Sequence, residues 1–106
     1  MIVTTSEAIA NKRIVRTLGI VRGNTVRARH IGKDILAGLR NIVGGEVHEY
    51  AKLIAEAREQ SLDRMITEAA DLGANAIIAT RFTTSVMMGG AAELLAIGTA
   101  VIIEDA

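Results

Sequence analysis

The chain has no cysteine, no proline and no tryptophan among its 106 residues, and its aromatic content is one tyrosine and one phenylalanine. Without cysteine there is no disulfide framework and no thiolate nucleophile, and the only sulfur left to a soft metal is that of four methionines. With Tyr50 and Phe82 as the only rings, there is no stacking platform for single-stranded bases, so nucleic acid is not an expected partner. No apolar run approaches the roughly 20 residues of a membrane helix. The start, Met1-Ile2-Val3-Thr4-Thr5, lacks the charged-then-apolar layout of a secretory signal. The expectation is a soluble, cytoplasmic protein with no membrane partner.

Half of the residues are apolar, which excludes disorder. The length suits one domain spanning residues 1–106, able to bury roughly two thirds of its unfolded surface without metal or disulfide staples. The charge is balanced, 12 basic against 12 acidic, but segregated. Residues 1–45 carry eight basic side chains against Glu7 and Asp34, and residues 46–71 carry seven acidic ones against Lys52, Arg58 and Arg64. Such segregation serves complementary contact between a basic strand region and an acidic helix, within or between subunits.

A short strand is expected at Ile2–Thr5. Arg13–Val21 is rich in β-branched residues and reads as a second strand that stops at the turn signal Gly23-Asn24 or continues after a bend to Ala28. Ile31, Ile35, Leu36, Leu39, Ile42 and Val43 share one helical face, predicting a short amphipathic helix closed by Gly44-Gly45. The strongest periodicity runs from Glu46 to Leu72, where Val47, Tyr50, Ile54, Ala57, Ser61, Met65, Ala69 and Leu72 step by three or four. A helix of that span is about 40 Å long, and Gly73 stands where a left-handed cap is expected.

Two strands follow, Asn75–Met88 and Ala91–Glu104, joined by Gly89-Gly90. A two-residue Gly-Gly turn pairs Met88 with Ala91, Val86 with Glu93 and Arg81 with Gly98, leaving room over Gly98 for the Arg81 side chain, unless a bulge intervenes. From Leu94 to Ile103 both alternating sets are apolar. Ile97 and Val101 belong to one set, and Leu94, Ala96, Ala100 and Ile102 to the other. One set must meet the long helix and the other something else, and a single helix layer cannot cover both. Self-association through the second face follows.

Arg81 and Glu93 are charges inside otherwise apolar strands, so each needs a partner, a subunit boundary or a pore. His48, Glu46 and Glu49 are the candidate metal ligands, at the start of the long helix. His48 and Glu49 are adjacent and do not share a helical face, no His-x-x-x-His pair occurs, and His30 stands apart. No serine lies in a nucleophile elbow, and Ser61 falls on the buried stripe. Gly44-Gly45 lacks the Gly-Lys-Ser/Thr ending of a phosphate loop. No catalytic residue is assigned.

Gly19-Ile20-Val21-Arg22-Gly23-Asn24, Arg29, Asp34-Ile35, Gly44-Gly45-Glu46 with Tyr50, Gly73-Ala74-Asn75-Ala76, Arg81-Phe82, Thr84-Ser85 and Gly98-Thr99-Ala100-Val101, in that order, resemble the YbjQ-like family of small uncharacterised proteins, which carries a heavy-metal-binding label. The likeness runs from Val3 to Glu104. It implies an α+β, dodecin-subunit-like β-α-β-β fold: an antiparallel sheet on one long helix, with an additional short helix and a short N-terminal strand, assembled as a homopentamer.

The reading is a non-enzymatic homo-oligomer that binds a small ligand or metal ion in a pore or at subunit interfaces, with Arg81, Glu93 and Tyr50 as ligand or interface candidates and no dedicated cofactor. One alternative is an enzyme whose site forms only at the subunit interface, from Arg81, Glu93, His48 and Tyr50. A second is a scaffold module that recruits a partner protein through the outer helix face, Glu56, Glu59 and Asp63.

Overall fold

A computed structural model describes residues 1–27, 45–86 and 91–106, with side chains in the helix described from residue 51 onward. The elements are β1 (Ile2–Val3), β2 (Lys12–Arg27), α1 (Gly45–Asp71), β3 (Ala76–Val86) and β4 (Ala92–Asp105). The strands form one sheet in the order β1-β3-β4-β2. Both long pairings are antiparallel, but β1 runs parallel to β3 through Ile2–Ala76 and Val3–Ile77. The sheet is therefore mixed, where a purely antiparallel one was expected. The expected helix over Ile31–Val43, the Gly89-Gly90 turn and the Met88–Ala91 pair lie outside the described residues.

The helix forms where the apolar period places it and buries Ala57, Ser61, Met65 and Ala69 completely. It ends at Gly73, whose φ of +88° suits a residue without Cβ. The Ala74 amide donates to the Ala69 carbonyl at 3.0 Å and the Gly73 amide to Ala70 at 2.9 Å. That pair of bonds satisfies two of the last carbonyls of the helix.

Gly23-Asn24 is not a turn, because β2 runs unbroken through it. A Cβ on Gly23 would stand 2.1 Å from the Ser61 carbonyl oxygen and 2.5 Å from the Met65 nitrogen. The glycine is there because the helix backbone lies directly on the strand. On either side of this contact Ser61 Oγ bonds Thr25 Oγ1 and the Leu94 carbonyl, each at 2.9 Å. A buried hydroxyl so paired locks the register of helix on sheet.

The hairpin register differs from the expected one by a single residue. Val86 pairs with Ala92, Ser85 with Glu93 and Arg81 with Ile97. Between Ile78–Thr99 and Arg81–Ile97 the ladder shifts, with Ala79 and Thr80 set against Gly98 alone. Ala79 takes a φ of +53° there, the left-handed conformation of a bulge residue. Gly98 leaves room for the bulge rather than for Arg81, since a Cβ on it would meet Ile77 Cγ2 at 2.6 Å.

The core proper lies between helix and sheet: Val21, Ile77, Ala96 and Ala100 against Met65 and Ala69, with Leu18, Leu62 and Ile66 at its margin. A second, smaller cluster gathers Ala76, Val101 and Ile103 with Ile9 and Ile78. Successive residues of a strand point to opposite faces. Leu94, Ala96 and Ala100 therefore face α1, while Ile97, Val101 and Ile103 face the other way. Asn75 continues the ladder with its side chain, its Nδ2 donating to the Ile103 carbonyl at 2.8 Å and its Oδ1 accepting from the Ile103 amide at 2.7 Å.

Candidate functional site: the open face of the sheet

Three strands cross the face opposite α1 in rows fixed by the register. Ile20, Thr99 and Ile78 form one row; Arg22, Ile97 and Arg81 the next; then Asn24, Leu95 and Thr83; then Val26, Glu93 and Ser85. Directly opposed residues share a face and lie close enough to interact. Ile20 is 62% and Val26 50% exposed, and Leu95, Ile97 and Thr99 are half-buried. Nothing among the described residues packs over them. The N-terminal segment covers only the far end of this face, where Ile9 joins Val101 and Ile103.

On the helix side, α1 lies over β2 and β4 and leaves β3 nearly bare. Phe82 is 44% and Val86 81% exposed, and the register places both on that side, opposite Ala96 and Ala92. The slab thus carries two different apolar patches, one on each side. Beyond Thr80, whose amide bonds the Thr4 carbonyl, β3 pairs with β4 alone among the described residues.

Arg81 was expected to reach a partner, a subunit boundary or a pore. Its Nη1 donates to the carbonyls of Thr5 and Thr80, both at 2.8 Å, tying the N-terminal segment to the bulge. Glu93 lies on the strand between those of Arg22 and Arg81, two rows along from both, and the ion pairs among the described residues are Lys12–Asp105 and Arg13–Glu104. Lys12 holds the Asp105 carboxyl below the ordinary carboxylate range by hydrogen bond and charge. His48, Glu46, Glu49 and Tyr50 all fall in the first turns of α1, with side chains outside the described set, as is His30. Among the described residues no three histidines or carboxylates gather as a metal site.

Arg22 was not singled out from the sequence. The signal was present in the strict alternation of exposed Ile20, Arg22, Asn24 and Val26 with buried Val21, Gly23 and Thr25, but reading Gly23-Asn24 as a turn cut the pattern in half. Ser61 is buried, as its helical stripe predicted.

No helix among the described residues is long and apolar enough to cross a membrane. Residues 1–104 match the family described as "Putative heavy-metal-binding". A UPF0145 protein of Dehalococcoides mccartyi is 57% identical over 104 residues, covering 98% of this chain and 100% of that one. One of Archaeoglobus fulgidus is 58% identical over 101 residues, 95% and 94% of the two chains. Among solved structures, a protein of unknown function from the DUF74 family of Pediococcus pentosaceus superposes with a TM-score of 0.69 at 17% identity, covering 98% of each chain, which is a likeness of fold. The chain belongs to the YbjQ family, that of the UPF0145 proteins.

Proposed function

We propose that the protein is a non-enzymatic homo-oligomer of the cytoplasm, a ring of five dodecin-like subunits that holds a small ligand or a metal ion in its pore or between subunits. The observation that carries the self-association is the bare apolar half of the sheet, Ile20, Leu95 and Ile97, over which no second layer lies among the described residues. The shape supports it. The chain extends 56 × 22 × 16 Å with a radius of gyration of 17.3 Å, where a compact chain of 100 residues has about 13 Å. Its accessible surface is 6879 Å² against roughly 5,700 Å² for a monomer of its mass. The excess is comparable to the ~800 Å² that each partner buries in a stable interface.

The two patches lie on opposite sides of the slab, so a two-fold contact through the open face would leave Phe82 and Val86 uncovered. A head-to-tail contact covers both with one kind of interface, and such contacts close into rings. The family likeness supports five as the number. The family description supports an ion as cargo; the donor set within one described subunit does not, which favours the interfaces or the pore. Native mass spectrometry of protein never exposed to metal-affinity resin, with elemental analysis, tests both parts. The expected mass is five times that of the 11.2 kDa chain with a retained ligand or ion. A single-chain mass at micromolar concentration would overturn the assembly, and a five-chain mass with nothing bound would overturn the cargo.

A further inference from the structure

The register builds a strip of one character along the middle of the open face. Ile97 and Leu95 of β4 run down its centre, half-buried, with Arg22 and Asn24 of β2 on one side and Arg81 and Thr83 of β3 on the other, all four exposed. Each flanking side chain can donate a hydrogen bond, and the two guanidiniums can only donate. Arg81 engages Nη1 with the Thr5 and Thr80 carbonyls, which hold its guanidinium in place without neutralising it. Neither arginine forms an ion pair among the described residues, and Glu7 of the N-terminal segment pairs with neither. Glu93 shares the face but lies two rows along, about 13 Å of strand away. That exceeds the ~8 Å over which exposed charges act at physiological salt.

Resting on the ligand-holding part of the function proposed above, we infer that this strip binds an organic acid. Its carboxylate or phosphate lies between Arg22 and Arg81, and its apolar body lies along Ile97 and Leu95. The Cα atoms of the two arginines stand on the strands either side of β4, about 10 Å apart, so Arg22 can swing over Ile97 towards the fixed guanidinium of Arg81. Nε and Nη2 of Arg81 bond nothing among the described residues and supply a fork for the head group. A guanidinium suits this role because its planar donors match a carboxylate or phosphate and it is weakly hydrated. A metal ion meets like charge here, so the cargo of this face is the acid. Covering the face strengthens the preference, because a desolvated guanidinium without an anion is costly.

The test is isothermal titration with decanoate below its micelle concentration, with circular dichroism and light scattering on the same samples. Acetate lacks the apolar body and decyltrimethylammonium has the opposite charge. Decanoate binds saturably, and the other two bind far more weakly. Arg22→Gln, at an exposed residue with no ion pair among the described ones, weakens decanoate by about 10-fold or more, the effect of losing one charge-assisted hydrogen bond. Arg81→Gln does the same, and Arg58→Gln, exposed on α1, leaves the affinity unchanged. No binding of decanoate, equal binding of the ammonium probe, or full affinity in the folded Arg22→Gln variant overturns the inference. The strip lies within one chain, so the two readings fail separately. A monomer that binds decanoate through Arg22 overturns the ring and leaves the acid site standing, and an oligomer that ignores decanoate does the reverse.

Discussion

At one end of the sheet Val101 and Ile103 lie under Ile9 and beside Ala76 and Ile78, closed from water on the face away from α1. At the other end of the same strand and face, Leu95 and Ile97 stand half-exposed between Arg22, Asn24, Arg81 and Thr83. The side chains are of one kind, and only their cover differs. The N-terminal segment is anchored by the parallel bonds of β1 and by Thr4 on β3, and it covers the first end alone. Burying one such aliphatic side chain is worth about 1.5–3 kcal/mol. The bare half therefore represents a large gain unrealised among the described residues, and the association proposed above would supply the missing layer.

The comparison breaks most sharply by placing the same charge at each end. Val101→Asp buries an unpaired carboxylate inside a subunit and lowers its stability by about 3–5 kcal/mol, seen as a lost or strongly lowered urea midpoint. Ile97→Asp leaves the subunit folded and acts on association. Equal loss of fold in both variants would erase the distinction between the two ends. Gly23→Ala is next, at about 3 kcal/mol, because the added methyl collides with the helix backbone at 2.1 Å, an overpacking that no rotamer relieves. A wild-type melting temperature for that variant would mean the helix does not rest on β2 as described.

Thr80→Val sharpens the account of the bulge. The Thr80 hydroxyl is buried at 2% exposure with no hydrogen-bond partner among the described residues, and removing an unsatisfied buried polar group by a change of similar shape raises stability by about 1 kcal/mol. A fall in the melting temperature would show that the hydroxyl has a partner. The smallest effect is at Asp105. Its carboxyl is held below the usual value by Lys12, so the pair stabilises the fold above the unfolded carboxylate range and its contribution is lost as pH falls through the depressed folded value. Both groups are surface residues, so Lys12→Ala is expected to raise the Asp105 titration midpoint by NMR while changing stability hardly at all. No change in that midpoint would remove the pair.

Much of this arrangement was legible in the residues. The apolar stripe from Val47 to Leu72 reads as α1, Gly73 as its cap, and the doubly apolar run from Leu94 to Ile103 as a strand with two faces to cover. Part of what could not be read has one physical cause: a glycine serves a turn, a bulge and a close approach equally well. Gly23 marks the contact of helix on strand, and Gly98 faces the bulge at Ala79 and Thr80. The offset of one residue already stands at Val86–Ala92, so Arg81 meets Ile97 and not Gly98, and the bulge shifts the pairs beyond it, from Ile78–Thr99 to Ala76–Val101, by one more. The parallel pairing of β1 had no local signal, because two residues carry it. Arg81 called for a partner, and it found backbone carbonyls, which no search for complementary side chains would pick out.

The most direct measurement of the central claim is the solution mass of Ile97→Asp beside the unaltered protein, by static light scattering at matched concentration with circular dichroism on the same samples. The account predicts an oligomer for the unaltered chain and, for the variant, unchanged helicity with a mass reduced towards the single 11.2 kDa chain. An unchanged mass for the folded variant would mean that the bare half of the sheet is solvated, and would contradict assembly through it.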